Sequence, residues 1–319
     1  MHNSTLLSCL FLLNVGKDAM GGSRLLFPEL EHRVSVLRKG QTVRFDSLLG
    51  HAKESFVVEG DSAEMLAQLP ADSFRACVTS PPYWSLRDYQ IEGQIGLEAS
   101  LDAYIASLVN VFEQVRRVLC ADGTLWLNIG DSFTSGGRTW RAPDKKNPVR
   151  AMDIRPPTPP GLKPKDLIGV PWRLAFALQA AGWYLRTDII WDKPNCQPES
   201  VKDRPTRSHE HIFLFSKSEQ YHYDASAVRG PNGRNLRTVW DIPTQPYKDA
   251  HFATFPPALV EPCLALGTEP GDLVLDPFFG SGTTGAVALA TGRRFVGIEL
   301  NPDYLTLATR RLHRAVIEE

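Results

Sequence analysis

Asp276-Pro277-Phe278-Phe279-Gly280-Ser281-Gly282-Thr283-Thr284-Gly285 is the stretch that decides the fold class. An apolar run, Leu273 to Leu275, leads into it and a helical pattern from Thr284 to Ala290 leaves it, so the segment is a strand-to-helix turn. Small residues at such a turn let a ligand approach the backbone, and the free amides at the helix start favour a carboxylate or phosphate. The next apolar run, Phe295 to Ile298, ends on Glu299. An acid at that point can accept hydrogen bonds from both hydroxyls of a ribose. Taken singly, Gly-x-Gly also describes a simple tight turn, and Glu299 also describes a solvated strand end.

The same alternation of strand and helix recurs on either side. Phe56 to Val58 followed by Gly60-Asp61-Ser62 reads as a short strand and a helix start, with Asp61 or Ser62 as the cap. Ala76 to Thr79 is a second strand, stopped by Pro81-Pro82. Residues 100 to 119 carry apolar positions at helical spacing, and Asp122-Gly123 turns the chain into a strand from Thr124 to Ile129. Helices are expected near Trp172 to Ala181, Pro257 to Leu266 and Pro302 to Arg314, and strands at Arg186 to Trp191 and His211 to Phe215. Parallel strands alternating with helices imply a sheet covered on both faces, with ligands at the carboxyl ends of its strands. Two irregular inserts interrupt the pattern, at about 132–171 and 195–250. Residues 1–50 are expected to be a partly disordered extension with Met20 as the working start, and 51–319 the catalytic domain.

The chain has 319 residues, 43% of them hydrophobic and 22% charged, which suits one large α/β domain with an appended recognition region. A formal net charge of -1 excludes a global basic field, so any contact with nucleic acid needs local positive charge. Five cysteines, without CxxC pairs or histidines at ligand spacing, give neither a disulfide framework nor a metal site. The apolar run Leu6 to Val15 is too short to span a bilayer, so no membrane association is expected.

Thr79-Ser80-Pro81-Pro82-Tyr83-Trp84 is the second informative stretch. Its plain reading is a proline-stopped strand with aromatics packed in the core. Combined with the first motif it reads differently, as a receptor for a planar amine. The nitrogen of such an amine is a poor nucleophile because its lone pair is delocalised into the ring. Hydrogen bonds from its two N–H groups to Ser80 and the Pro81 carbonyl favour a pyramidal nitrogen, while Tyr83 stacks on the ring. The freed lone pair can then attack a methyl sulfonium in line.

Together the two motifs resemble the exocyclic amino DNA methyltransferases, whose signatures are an Asp/Asn/Ser-Pro-Pro-Tyr/Phe tetrad and a Phe-x-Gly-x-Gly cofactor loop. The resemblance runs from about Phe56 to Leu312, and the tetrad precedes the loop, as in the beta arrangement of that family. It implies a Rossmann-like, S-adenosylmethionine-dependent α/β sheet with circularly permuted motif order and an irregular target-recognition region. Ser80, Pro81, Pro82 and Tyr83 would then be catalytic. The cofactor would lie across Phe278, Phe279, Gly280, Ser281, Gly282 and Thr283, with Glu299 on its ribose and Asp276 and Asp61 as further polar contacts. Gly60-Asp61-Ser62 resembles the segment that contacts the adenine. His251, Thr254 and Phe255 lie in a stretch resembling the one near the methionine moiety. Ile189 to Pro194 resembles the target-pocket strand, which would set Trp191, with Trp84, beside a flipped base.

Ser at position 80 points to cytosine N4 over adenine N6, because Ser-Pro-Pro-Tyr accompanies N4 in the resembling family. Double-stranded DNA would be held by the basic inserts, through Arg138, Arg141, Lys145, Lys146, Arg204, Arg207 and Arg234. No metal is needed, because the leaving group is a neutral thioether. Such a protein would work in the cytoplasm, within a bacterial or phage modification system. A homodimer suits the family, but no heptad or apolar edge commits this chain to one. Three rivals remain to be weighed. A carbon-5 methyltransferase needs a thiolate, and Pro262-Cys263 lies in an apolar helical pattern instead. Methyltransferases of protein glutamine or RNA guanine place the cofactor loop first. A DNA-binding protein without catalysis would not need both motifs intact.

Overall fold

Every strand expected from the apolar runs forms, and all of them join one sheet. The computed structural model describes residues 23–27, 32–39, 54–135, 140, 156–245 and 255–317. Within them the chain runs β1 (Ser23–Phe27), β2 (His32–Leu37), β3 (Glu54–Glu59), α1 (Ser62–Gln68), β4 (Phe74–Thr79), α2 (Leu101–Val118) and β5 (Leu119–Ile129). It continues through α3 (Val170–Ala180), β6 (Tyr184–Asp192), β7 (His209–Ser216), a 3-10 turn (Pro231–Gly233), β8 (Val239–Asp241) and α4 (Pro257–Gly267). β9 (Leu273–Asp276), α5 (Thr283–Ala290), β10 (Arg294–Glu299) and α6 (Pro302–Ile317) complete the described chain.

The strand order is β1-β2-β3-β10-β9-β4-β5-β7-β6-β8. From β2 to β5 the neighbours are all parallel, and the β6/β7 hairpin closes antiparallel against β5. Side chains alternate between the faces of a strand, so each central strand feeds two cores. Phe56 and Val58, Leu125 and Leu127, Leu273 and Leu275, and Val296 and Ile298 pack beneath α1, α2 and α3. Val57, Trp126, Val274 and Phe295 point the other way, beneath α4, α5 and α6.

This layering places the ligand crevice. The helix following β9 lies on one face and the helix following β4 on the other, although β9 and β4 are neighbours. Where adjacent parallel strands send their helices to opposite faces, a crevice opens beyond their carboxyl ends. The two motifs leave those two ends.

Two strands form within the N-terminal extension, where none was expected. β2 pairs parallel with β3, and β1 pairs antiparallel with β2, so both belong to the sheet. The Val34 and Val36 side chains are buried in the second core, and Ser35 Oγ donates to Glu54 Oε1 at 2.6 Å. β8 likewise forms inside the second insert, parallel to β6.

Candidate active site

Asp276 ends β9 fully buried, and its carboxylate accepts from Thr79 Oγ1 at 2.6 Å, Thr284 Oγ1 at 2.7 Å and Phe278 N at 3.1 Å. It therefore ties the end of β4 to the turn after β9 and to the start of α5. Burial pushes its carboxyl up to about 6, against those three hydrogen bonds. An expected cofactor contact is thus a tie within the protein.

Beyond Asp276 the turn is shaped by glycine. Gly280 and Gly282 adopt φ values of +52° and +78°, and a Cβ on Gly282 would lie 3.1 Å from that of Ala308 in α6. Phe279 points away from the crevice, with its ring stacked on Phe295 at 5.3 Å between centroids. A Cβ on Gly297 would stand 2.2 Å from the Phe279 ring, so β10 has no side chain where this ring anchors the turn. Ser281 Oγ and Thr283 Oγ1 both accept from Arg311 Nη1, at 3.0 and 2.7 Å.

Glu299 stands at the end of β10, and its carboxylate accepts from Gly280 N at 2.7 Å and Asn301 N at 2.8 Å. Burial pushes this acid up to about 7, opposed by those backbone amides. Asp61 caps α1 through Ala63 N and Glu64 N, at 2.9 and 3.0 Å. Its neighbour Ser62 donates to the Pro277 carbonyl at 2.6 Å, which brings the end of β3 against the glycine turn. Phe255 is half-buried against the second core, while His251 and Thr254 lie outside the described residues.

Ser80 leaves β4 on the far side of the crevice. Tyr104 Oη donates to the Pro82 carbonyl at 2.8 Å and so fixes the Pro81-Pro82 turn. Among the described residues no hydrogen bond ends on the Pro81 carbonyl, which leaves it available as an acceptor. The Tyr83 ring lies on Gly130, where a Cβ would approach its Cε2 to 2.6 Å. Tyr83 Oη donates to Glu210 Oε2 at 2.6 Å, and Ser80 Oγ lies 3.5 Å from the same phenol oxygen. Burial and the Glu210 charge push Tyr83 well above the usual phenol range, so it remains a neutral donor.

Asn128 near the end of β5, Glu210 at the start of β7 and Lys193 just past β6 complete this wall. Asn128 Nδ2 donates to Glu210 Oε2 at 3.0 Å, to Tyr83 Oη at 3.2 Å and to Ser80 Oγ at 3.3 Å. Its Oδ1 is buried and has no partner among the described residues. An orphaned acceptor beside Ser80 suits a ligand that brings N–H donors. Of these three, Lys193 lies within the stretch Ile189 to Pro194 singled out above, while Asn128 and Glu210 do not stand out; the one signal for Glu210 is a charged residue directly beside an apolar strand, in His209-Glu210-His211.

The two tryptophans require correction. Trp84 is 3% exposed and packs in the first core, with Nε1 donating to the Glu98 carbonyl at 3.0 Å. Trp191 is equally buried; its Nε1 donates to the Ile242 carbonyl at 2.7 Å, and the Lys193 ammonium lies 4.3 Å above its ring. Both support the pocket wall from behind, because their apolar surface is spent on core packing. Cys263 is fully buried in α4, where Sγ donates to the Leu259 carbonyl at 3.2 Å and burial pushes the thiol up. That is the opposite of an activated thiolate.

The basic inserts are described only in part, with Arg138, Arg141, Lys145 and Lys146 outside the described residues. Arg204 pairs with Glu199 at 2.6 Å and stacks over Phe133 at 3.8 Å. Arg207 lies 3.7 Å from the Asp131 carboxylate, which caps α3 through Gly169 N and Val170 N. Arg234 is exposed.

Comparison with known proteins agrees with this geometry. Residues 74–310 match the family model for N6/N4 DNA methylases. The type II methyltransferase M.XycI of Xanthomonas campestris pv. cyanopsidis is 62% identical over 262 residues, covering 81% of this chain and 87% of that protein. Among solved structures, the PvuII DNA methyltransferase (cytosine-N4-specific) shares the fold with a TM-score of 0.62 at 22% identity, over 82% of this chain and 93% of that one. A putative DNA modification methylase from Thermus thermophilus, complexed with S-adenosyl-L-methionine, gives a TM-score of 0.56 at 28% identity, over 82% of this chain and 93% of its own.

Proposed function

The chain belongs to the N6/N4 family of DNA methylases, and from that membership we propose that it methylates cytosine N4 in double-stranded DNA as the modification enzyme of a restriction-modification system. The observation that carries this reading is the juxtaposition of Ser80-Pro81-Pro82-Tyr83 and the glycine turn across one crevice, locked together by Asp276.

The methyl donor is S-adenosylmethionine, which supplies an electrophilic methyl group on a sulfonium. The residues present fit it. Glu299 accepts from two backbone amides at a strand end, Gly280 and Gly282 keep side chains away from the turn, and Asp61 lies beside them. Phe279 and Asp276 hold that cradle from beneath. On the opposite wall Ser80 Oγ, the Pro81 carbonyl and the unpartnered Asn128 Oδ1 are acceptors for an amine with two N–H groups. Tyr83 offers its ring for stacking, and a base reaches such a pocket only when flipped out of the helix. Ser at position 80 supports cytosine over adenine. The basic inserts, with Arg234 exposed, are the proposed duplex contacts.

Tritiated methyl transfer from S-adenosylmethionine to unmethylated genomic DNA tests this reading. Wild-type protein should label DNA, and Ser80→Ala should lose transfer by about a hundredfold or more while binding the cofactor with unchanged affinity. Full transfer by Ser80→Ala would remove Ser80 from the reaction. Cofactor binding without any transfer by wild type would favour a DNA-binding protein without catalysis.

A further inference from the structure

Beside Ser80 sits a partly buried ion pair to which the roles above assign no part. Glu210 Oε1 is paired with Lys193 Nζ, and the two side chains are only 18% and 15% exposed. A buried ion pair costs desolvation that apolar residues would avoid, so its place against a reactive centre is informative. The other carboxylate oxygen accepts from Tyr83 Oη at 2.6 Å and from Asn128 Nδ2 at 3.0 Å. Ser80 Oγ in turn donates toward Tyr83 Oη at 3.5 Å. The hydroxyl donors are thus aligned in one direction, from Ser80 through Tyr83 to Glu210.

We propose that Glu210 is the terminal acceptor of the proton that the target amine loses on methylation, reached through Ser80 and Tyr83. The inference rests on the methyl-transfer reading of the site. The amine lone pair forms the N–CH3 bond as the CH3–S bond breaks, and the electron pair of that bond stays on sulfur. Positive charge builds on the nitrogen as the N–CH3 bond forms, and one of its N–H bonds breaks in the same step, so that the products are a neutral thioether and a neutral methylated amine. The amine proton passes to Ser80 Oγ, the Ser80 proton passes to Tyr83 Oη, and the Tyr83 proton passes to Glu210 Oε2. Both hydroxyls are regenerated, the methylated base is neutral, and the carboxyl proton returns to water before the next turnover.

The chemistry of the ends matches. An exocyclic amine that gains positive charge as it is methylated becomes strongly acidic, so a carboxylate suffices as acceptor. Burial by itself would raise Glu210, but the Lys193 charge and the hydrogen bonds from Lys193, Tyr83 and Asn128 hold it below the usual carboxylate range. Glu210 therefore stands ready in its ionised form, and the same Lys193 charge favours release of the proton afterwards.

Single-turnover methylation of unmethylated DNA, with enzyme in excess, separates this role from a structural one. Glu210→Gln keeps the shape of the side chain without the charge, and Tyr83→Phe keeps the stacking ring and the ion pair without the hydroxyl. Both should slow transfer by about a hundredfold or more, with dissociation constants for cofactor and DNA within about twofold of wild type. Glu210→Asp should recover transfer to within about tenfold of wild type, because it restores a carboxylate. A Glu210→Gln rate within about threefold of wild type would overturn the relay, and so would a Tyr83→Phe rate equal to wild type. If Glu210→Gln melts early, Tyr83→Phe decides alone. A wild-type protein that transfers no methyl group to DNA would contradict the proposed function instead.

Discussion

At the scale of single residues, the cofactor contact proposed for Glu299 would link binding to protons. The Glu299 carboxyl is held at about 7 in the folded chain, against an ordinary value of 4.5. The folded protein therefore binds an extra proton between those values, and the contribution of Glu299 to the stability of the cofactor-free protein is full below about 4.5 and is lost as pH rises through about 7. In the proposed contact the ribose hydroxyls would donate to the ionised form, so cofactor binding should release a proton below that pH and weaken by up to about tenfold per pH unit. Titration calorimetry in buffers of different ionisation enthalpy would read the proton, and Glu299→Gln should abolish the pH dependence. Equal dependence in Glu299→Gln would assign the proton elsewhere. At this scale the sequence was informative where chemistry-bearing residues sit beside Gly or Pro, as in both motifs. It was silent on Glu210, which meets Tyr83 across 127 positions of chain, and on Asn128. It also set Trp84 and Trp191 in the pocket, because an aromatic beside a motif reads alike whether its face meets ligand or core.

At the scale of elements, the joint between β4 and β9 organises the site. Asp276 holds the hydroxyls of Thr79 and Thr284, all three groups being buried. Asp276→Ala leaves the buried Thr79 hydroxyl without its acceptor and Thr284 Oγ1 with only the Val78 carbonyl at 3.2 Å, and should lower the unfolding free energy by about 1–3 kcal/mol in a denaturant titration. It should also loosen the alignment of Ser80 with the glycine turn, so methyl transfer should fall more than cofactor affinity. Unchanged stability would mean the joint is held by the sheet alone. The central strands were legible because their apolar runs are continuous, as expected for strands covered on both faces. β2 was missed although His32-Arg33-Val34-Ser35-Val36-Leu37 alternates, because a short alternation flanked by charge also suits a solvated extension. β8 has three residues and no pattern to show.

At the scale of the whole molecule, the order of the motifs along the chain matters less than their meeting at one crevice. The first described strands lie at the sheet edge, β4 leads into the Ser80 motif, and β9 and β10, which come late in the chain, insert between β3 and β4. The N-terminal strands extend that sheet. A chain started at Gly40 loses the buried Val34 and Val36 side chains, each worth about 1.5–3 kcal/mol, and exposes the β3 edge. It should unfold at lower denaturant than a chain started at Met20, which retains both strands; equal midpoints would show that β1 and β2 add nothing to the sheet. The central claim concerns one bond, from a methyl carbon to an exocyclic nitrogen. Nucleoside mass spectrometry of unmethylated DNA treated with the protein and S-adenosylmethionine reads that bond directly. N4-methylcytosine is the expected product; N6-methyladenine would keep the mechanism and overturn the choice of base, whereas 5-methylcytosine would contradict the account of Ser80 altogether.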